Sequence, residues 1–290
     1  MDIDNFIDYQ VLNIFARNTD WPGNNTECWK YLDGTLSPGS SHPTDGRWRW
    51  LVFDMDFGFG LNFDYVRNSA SKYGENNAFH QTLEFALEPN GPGWPNPQWS
   101  TAMLRNLMKN PQFKSDFISR FADHLNTTFH KDRLLSLLDS LKNQYEPEMA
   151  EHIDRWREPQ MAYWQGQVNV MKTFALLRTE LMRIQLNNYF DVGGRDTITL
   201  DVEQTALGKI KVNTILLDSN TDGVSEDTYP WKGVYFNNLP VRVIAVPNPG
   251  YEFVRWEGDL VSAEDTLIVD LKLVKNLTAI FSDGFVFELL

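Results

Sequence analysis

The sequence predicts an α+β protein: a mostly helical body with one short β element, then a small β-rich module. Three observations carry this. Residues 1–195 hold all five histidines, all eight methionines and long stretches in which apolar residues return every three or four positions. Residues 196–290 hold short β-branched runs between turn residues. Gly193-Gly194 separates the two patterns, stopping a helix where a strand pattern begins. The expected domains are therefore 1–193 and 196–290.

The first helix rests on Ile3, Ile7, Val11 and Ile14, with Phe6 and Phe15 beside them and Asp2 or Asp4 as its cap. Pro22-Gly23 ends any helix in the turn 18–25. A Ser/Pro/Gly/Asp-rich loop covers 33–46. Arg47 to Phe53 then alternates and turns fully apolar, as a strand entering a core does. Trp48, Trp50, Val52 and Asp54 share one parity, so Asp54 ends that strand's face. From Ser100 to Phe190 the pattern is helical. Asn110-Pro111 starts one helix, with stripes at Phe113/Phe117/Phe121/Leu125, Leu134/Leu135/Leu138/Leu141 and Val168/Met171/Ala175/Met182. Strands are expected at 197–203, 209–217, 241–247, 266–273 and 277–281.

Composition removes several function classes. The 290 residues carry 26 Lys plus Arg against 39 Asp plus Glu, a net charge of −13 with both halves acidic. No basic run exists, so general binding of nucleic acid or anionic lipid is not expected. Nucleotide binding stays open if a divalent cation bridges phosphates to carboxylates. One cysteine, Cys28, excludes an internal disulfide. No apolar run is long enough to insert in a membrane. The start, Met1-Asp2-Ile3-Asp4-Asn5-Phe6, lacks a leader pattern and reads like the interior of a domain, as in a C-terminal fragment of a longer protein. Oligomeric state is not encoded in any feature of the chain.

One region has the makings of chemistry: Asn18-Thr19-Asp20-Trp21-Pro22-Gly23-Asn24-Asn25, then Phe53-Asp54-Met55-Asp56-Phe57-Gly58. Phosphoryl transfer needs a carboxylate to accept the proton of the attacking hydroxyl. It also needs an amide oxygen and a carboxylate to hold a hard cation against nucleotide phosphates. Asp20 and Asn25, five residues apart, match the base-and-amide spacing of a kinase catalytic loop. Asp54, at a strand end, supplies the metal carboxylate, and Asp56-Phe57-Gly58 spells the kinase metal tripeptide. On the residues alone a polar turn with a strand-end cap explains the same letters.

The stretch from Asp4-Asn5-Phe6-Ile7-Asp8-Tyr9 through Asp20-Trp21-Pro22-Gly23-Asn24-Asn25, then Trp29-Lys30 and Arg47-Trp48-Arg49-Trp50 into Asp54-Met55-Asp56-Phe57-Gly58-Phe59-Gly60, closely resembles the CotH kinase family, the atypical kinases named for spore coat protein H. The resemblance is strong over 2–60 and extends by helical content to about residue 192. It implies a kinase-like C-lobe that moves the γ-phosphate of ATP to Ser/Thr hydroxyls of an exported protein. It implies Asp20 as the catalytic residue, Asn25 and Asp54 as the nucleotide and metal ligands for Mg²⁺ or Mn²⁺, and Asp56 as the runner-up metal ligand. The family carries a phosphate-covering loop and a Lys–Glu pair upstream of this loop. None is visible before Asp20, so weak nucleotide binding without turnover is expected of this chain.

The tail resembles a divergent internalin-type B repeat through Gly208-Lys209-Ile210-Lys211-Val212, Leu239 to Pro247, Gly250-Tyr251-Glu252-Phe253-Val254-Arg255-Trp256-Glu257-Gly258-Asp259 and Leu277 to Phe281. That resemblance implies a bacterial secreted or cell-surface protein and a spacer or adhesive role for the tail. A second reading follows for the whole chain: a non-catalytic surface scaffold with a relic kinase-like fold. A third is a glycan platform on Trp94 and Trp99, although two tryptophans in a Pro/Gly loop more often pin that loop to its own domain.

Other features read as structural. Asp218 to Gly223 opens like a calcium loop, but its twelfth position is Tyr229, so an acidic hairpin turn is the stronger reading. His42, His80, His124, His130 and His152 show no zinc spacing, and His124 and His130 flank a helix end. Cys28 reads as a partly buried spectator thiol.

Overall fold

A computed structural model describes residues 1–18, 20–32, 44–60, 78–89, 91 and 93–284. Thr19, most of the 33–46 loop with His42, and Asn90 and Pro92 lie outside the described residues. The fold is α+β, with a β-rich C-terminal region. Two compact units form, one from Met1–Phe117 with Leu134–Gln185, the other from Ile118–Arg133 with Leu186–Leu290. Among the described residues no helix is long and apolar enough to cross a membrane.

The first unit is built around α1 (Ile3–Ala16). Asp2 caps it, its Oδ1 accepting from the Asn5 amide at 3.2 Å. Phe6, Ile7, Val11, Ile14 and Phe15 are buried, while Ile3, in the first turn, is exposed. A short ribbon of β1 (Glu27–Trp29) and β2 (Arg49–Leu51), paired antiparallel, docks on the start of this helix. The Asn5 side chain holds the Trp50 backbone on both sides, donating to its carbonyl at 3.3 Å and accepting from its amide at 2.6 Å. The almost fully buried Arg49 guanidinium pairs with Asp2 at 2.9 Å and Asp45 at 2.8 Å. The Phe6 and Trp50 rings meet edge to face at 4.7 Å.

The expected strand 47–53 is therefore only three residues long, and it does not enter a core. Trp48, Val52 and Phe53 are exposed. A two-stranded ribbon has one covered face, so its apolar run ends at solvent rather than inside a sheet. Cys28 is exposed on β1, not partly buried.

Six further α-helices follow among the described residues: α2 (Thr82–Leu87), α3 (Ala102–Leu107), α4 (Pro111–Asn126), α5 (Lys131–Tyr145), α6 (Met149–Trp156) and α7 (Met161–Phe190). The Phe113/Phe117/Phe121/Leu125 stripe is buried in full. Of the next stripe Leu134 and Leu138 are buried, whereas Leu141 is exposed toward the end of α5. Ala175 and Met182 of the third stripe are buried, and Val168 and Met171 half-buried.

The second unit holds two four-stranded sheets. One has the order β6 (Trp231–Phe236), β3 (Arg195–Val202), β10 (Asn276–Asp283), β8 (Tyr251–Gly258); the other runs β5 (Ile215–Leu216), β4 (Gly208–Val212), β7 (Val241–Pro247), β9 (Thr266–Val269). Among the described residues only β3 and β10 pair in parallel. Each sheet buries alternate residues, Ile198, Leu200 and Val202 on β3 and Ile210 and Val212 on β4 among them. The sheets approach closely at Gly208, where a Cβ would lie 2.5 Å from the Phe281 ring.

The expected strand 209–217 divides into β4 and β5 because Asn213 turns the chain with φ of 46°. The strand expected to reach residue 273 stops at Val269, leaving Leu273 in solvent. The strand Trp231–Phe236 had no place among the expected ones.

Candidate functional site

The site grows from the C-terminus of α1. That helix ends on Arg17 in the left-handed conformation, φ 53°, and the chain passes into the loop bearing Asp20. Asn13, a buried polar residue of α1, starts a relay. Its Nδ2 donates to the Tyr9 carbonyl at 2.9 Å, and its Oδ1 accepts from Asn18 Nδ2 at 3.1 Å. Asn18 Oδ1 then accepts from the Asp20 amide at 3.1 Å. Trp21 is completely buried behind the loop.

Asp20 and Asn25 come together. Asp20 Oδ2 accepts from Asn25 Nδ2 and from Asn24 Nδ2, each at 2.8 Å. Asn24 was not among the residues singled out from the sequence, and its signal was only its place beside Asn25. Asn25 has φ of 49°, a left-handed conformation that asparagine tolerates better than most residues. Tyr9 Oη supports the turn by donating to the Asn25 carbonyl at 3.4 Å.

The second limb of the site is 52–60. Asp54 is also left-handed, φ 52°. Its carboxyl is held above the usual carboxylate range, chiefly by a hydrogen bond with the Asp56 carboxyl beside it, with desolvation adding and a hydrogen bond from the Asn25 side chain opposing. Asn25 thus bonds Asp20 and lies beside Asp54, which in turn has the Asp56 carboxyl next to it. Met55 Sδ accepts from Asn18 Nδ2 at 3.3 Å, and the Phe59 amide donates to the Ala16 carbonyl at 2.9 Å. Both limbs are in this way tied to the last turn of α1.

Does this set fit a divalent cation? Among the described residues no group of three His, Cys, Asp or Glu side chains is arranged to hold a metal ion. What stands here is two adjacent carboxylates and an amide. Mg²⁺ commonly takes one or two carboxylates and completes its shell with phosphates and water. Two carboxylates held within hydrogen-bond reach repel unless a proton or a cation lies between them, so the donor set fits.

A third segment reaches the site from 93–99. The Gly23 amide donates to the Pro95 carbonyl at 2.6 Å. Asn96 pins that segment: its side chain is fully buried, donates to the Phe85 carbonyl at 2.6 Å and accepts from Ser100 Oγ at 2.7 Å. Trp94 and Trp99, expected to do the pinning, are instead 61% and 65% exposed.

The remaining candidates are structural. Asp218 pairs with Lys209 at 2.7 Å and Asp222 with Arg133 at 3.0 Å, so the calcium-like turn spends two of its carboxylates on cationic side chains.

Comparison with known proteins adds the family. The model of the CotH kinase protein family matches residues 1–182, which includes Asp20, Asn25, Asp54 and Asp56. No curated protein and no solved structure matches the chain. A family match over more than half of the sequence settles membership: the chain belongs to the CotH kinase family.

Proposed function

We propose that this chain carries the phosphotransfer site of an atypical protein kinase that moves the γ-phosphate of ATP to Ser or Thr hydroxyls of an exported bacterial protein. The observation that supports it most is the grouping around Asn25, whose side chain donates to Asp20 Oδ2 at 2.8 Å and lies beside the Asp54 carboxyl. Asp20 accepts the acceptor hydroxyl's proton while that oxygen bonds to the γ-phosphorus and ADP leaves. Asn24 and Asn25 orient the Asp20 carboxylate through their amides. Asn25 and Asp54 are the first ligands for Mg²⁺ or Mn²⁺, with Asp56 beside them. When bound, the cation neutralises charge on the phosphates. The β-rich tail is a B-repeat-like spacer that suits a secreted or cell-surface protein.

Binding is the first readout. A thermal-shift series on the whole chain and on Asp54→Ala, with ATP and Mg²⁺ or Mn²⁺, tests the site. Ligand that binds only the folded chain at a hundredfold excess over its dissociation constant adds about 2.7 kcal/mol of stability. A metal-dependent shift that vanishes in Asp54→Ala supports the kinase reading. No shift in either protein overturns it in favour of a non-catalytic scaffold.

A further inference from the structure

Arg178, on α7, is fully buried, yet its hydrogen bonds reach four carbonyls and one hydroxyl rather than a carboxylate. Nε donates to the Phe15 carbonyl at 2.9 Å, and Nη2 to the Ile14 carbonyl at 2.9 Å and Thr82 Oγ1 at 2.9 Å. Nη1 donates to the Ala78 carbonyl at 2.7 Å and the His80 carbonyl at 2.9 Å. A guanidinium has five N–H donors in a rigid fork, and all five are used.

Two of these acceptors are special. The last four carbonyls of a helix have no partner within it. In α1 those belong to Asn13, Ile14, Phe15 and Ala16. The Asn13 carbonyl accepts from the Asn18 amide at 3.1 Å, at the entry to the Asp20 loop. The Ala16 carbonyl accepts from Phe59, in the Asp54 limb. Arg178 takes the Phe15 carbonyl and shares the Ile14 carbonyl with the Arg17 amide, which lies 3.3 Å from it, and its charge sits where the helix dipole is negative. The terminus from which both limbs hang is therefore closed by its own Arg17 cap and held from outside by one side chain of a distant helix.

We propose that Arg178 is a positioning residue for phosphotransfer: by fixing the end of α1, from which the Asp20 loop and the Asp54 limb both hang, it sets the separation of Asp20 and Asp54. This rests on the kinase reading above, and Arg178 itself does not meet nucleotide or acceptor. Lysine keeps the charge but has no fork, so it can serve only part of this carbonyl set.

The test compares the whole chain with Arg178→Lys, Arg178→Ala and a control, Leu104→Ala, which removes a buried apolar side chain of the same unit that bonds neither limb nor the end of α1. Two quantities are read at a temperature where every protein is folded. One is the affinity for Mn²⁺–ATP. The other, which needs no nucleotide, is amide exchange at Asn18 and Phe59. Arg178→Lys is expected to weaken Mn²⁺–ATP at least tenfold and to speed exchange at both amides, while Leu104→Ala changes affinity less than twofold. Added methylguanidinium is expected to recover part of the affinity of Arg178→Ala. Equal losses in Arg178→Lys and Leu104→Ala, or unchanged affinity in Arg178→Lys, overturn the proposal. If the unaltered chain binds no Mn²⁺–ATP, the kinase reading falls, and unchanged exchange at Asn18 and Phe59 would then refute the coupling of the limbs as well. Should Arg178→Lys not fold, the methylguanidinium arm on Arg178→Ala decides.

Discussion

The Gly23 amide donates to the Pro95 carbonyl at 2.6 Å, fastening the Asp20 loop to a segment more than seventy residues later. That contact is possible because Gly23 has no side chain. A Cβ there would stand 2.5 Å from the same carbonyl oxygen and 3.0 Å from Pro97 Cδ. Neither atom belongs to a flexible side chain, so the loop itself must move. Gly23→Ala is expected to cost about 1–3 kcal/mol, as overpacking does. It should also abolish any nucleotide-dependent thermal shift. Melting curves with and without Mn²⁺–ATP check both effects.

The two acidic side chains of the second limb are not equivalent. Asp54 lies beside both Asp56 and Asn25, and its carboxyl is the one pushed above the usual range by that setting, the neighbouring Asp56 carboxyl first. Asp54→Ala should therefore eliminate metal-dependent binding, and Asp56→Ala should weaken it by roughly tenfold, about 1.4 kcal/mol. Titration of each variant with Mn²⁺ at fixed ATP ranks them. The reverse ranking would assign Asp56 as the principal ligand.

How much of this was legible in the sequence follows from the range of each interaction. Asp20 and Asn25 lie five residues apart in one turn, and the turn residues between them announce it. The Phe113 to Leu125 stripe is equally local. Ribbon length is not local: β2 is three residues long because β1 offers it three partners, and nothing in Arg47 to Phe53 records that. Arg178 is one of many polar and charged residues of α7, and nothing in its neighbours sets it apart. Its acceptors are backbone carbonyls about a hundred and about 160 residues away, and carbonyls carry no residue identity to read. The tryptophans misled for a related reason. A Pro/Gly loop shows that something must anchor it, but not that a small amide, Asn96, does so while the indoles stay in solvent.

His80 gives the first unit a pH dependence. Burial, then the nearby Arg17 and Arg178 charges, lowers its pKa to about 3. The unfolded chain protonates this imidazole near pH 6.5 while the folded chain keeps it neutral. Its contribution is complete above pH 6.5 and is lost as pH falls from there toward 3. Between pH 7 and pH 5 the loss is about 2 kcal/mol. His80→Asn retains an acceptor for Thr82 Oγ1, which lies 3.0 Å from Nδ1, and cannot take up the proton. Its melting temperature is expected to be lower at pH 7 but much flatter between pH 7 and pH 5. A parallel decline in both proteins would assign the acid sensitivity to other groups.

The second unit depends on a helical residue that the β pattern does not contain. Asp123, fully buried on α4, accepts from Asn213 Nδ2 at 3.0 Å, the Thr214 amide at 3.1 Å, Thr214 Oγ1 at 2.6 Å and Tyr235 Oη at 2.9 Å. Three residues on, the Asn126 side chain exchanges two 2.9 Å bonds with the Val234 backbone. These bonds hold both the β4–β5 turn and β6 to the end of the helix. Desolvation pushes the Asp123 carboxyl upward, and the four donors hold it down. Removing the carboxylate leaves those donors buried without a partner, which costs far more than a lost surface bond. Asp123→Ala is expected to destabilise this unit by about 3–5 kcal/mol, the range seen when one member of a buried charged network is deleted. The loss should register in exchange at Thr214 and Val234 before it reaches the Asp20 loop. Urea unfolding followed by residue-resolved exchange separates the two. A loss below about 1 kcal/mol would mean that the sheets hold that turn without the helix.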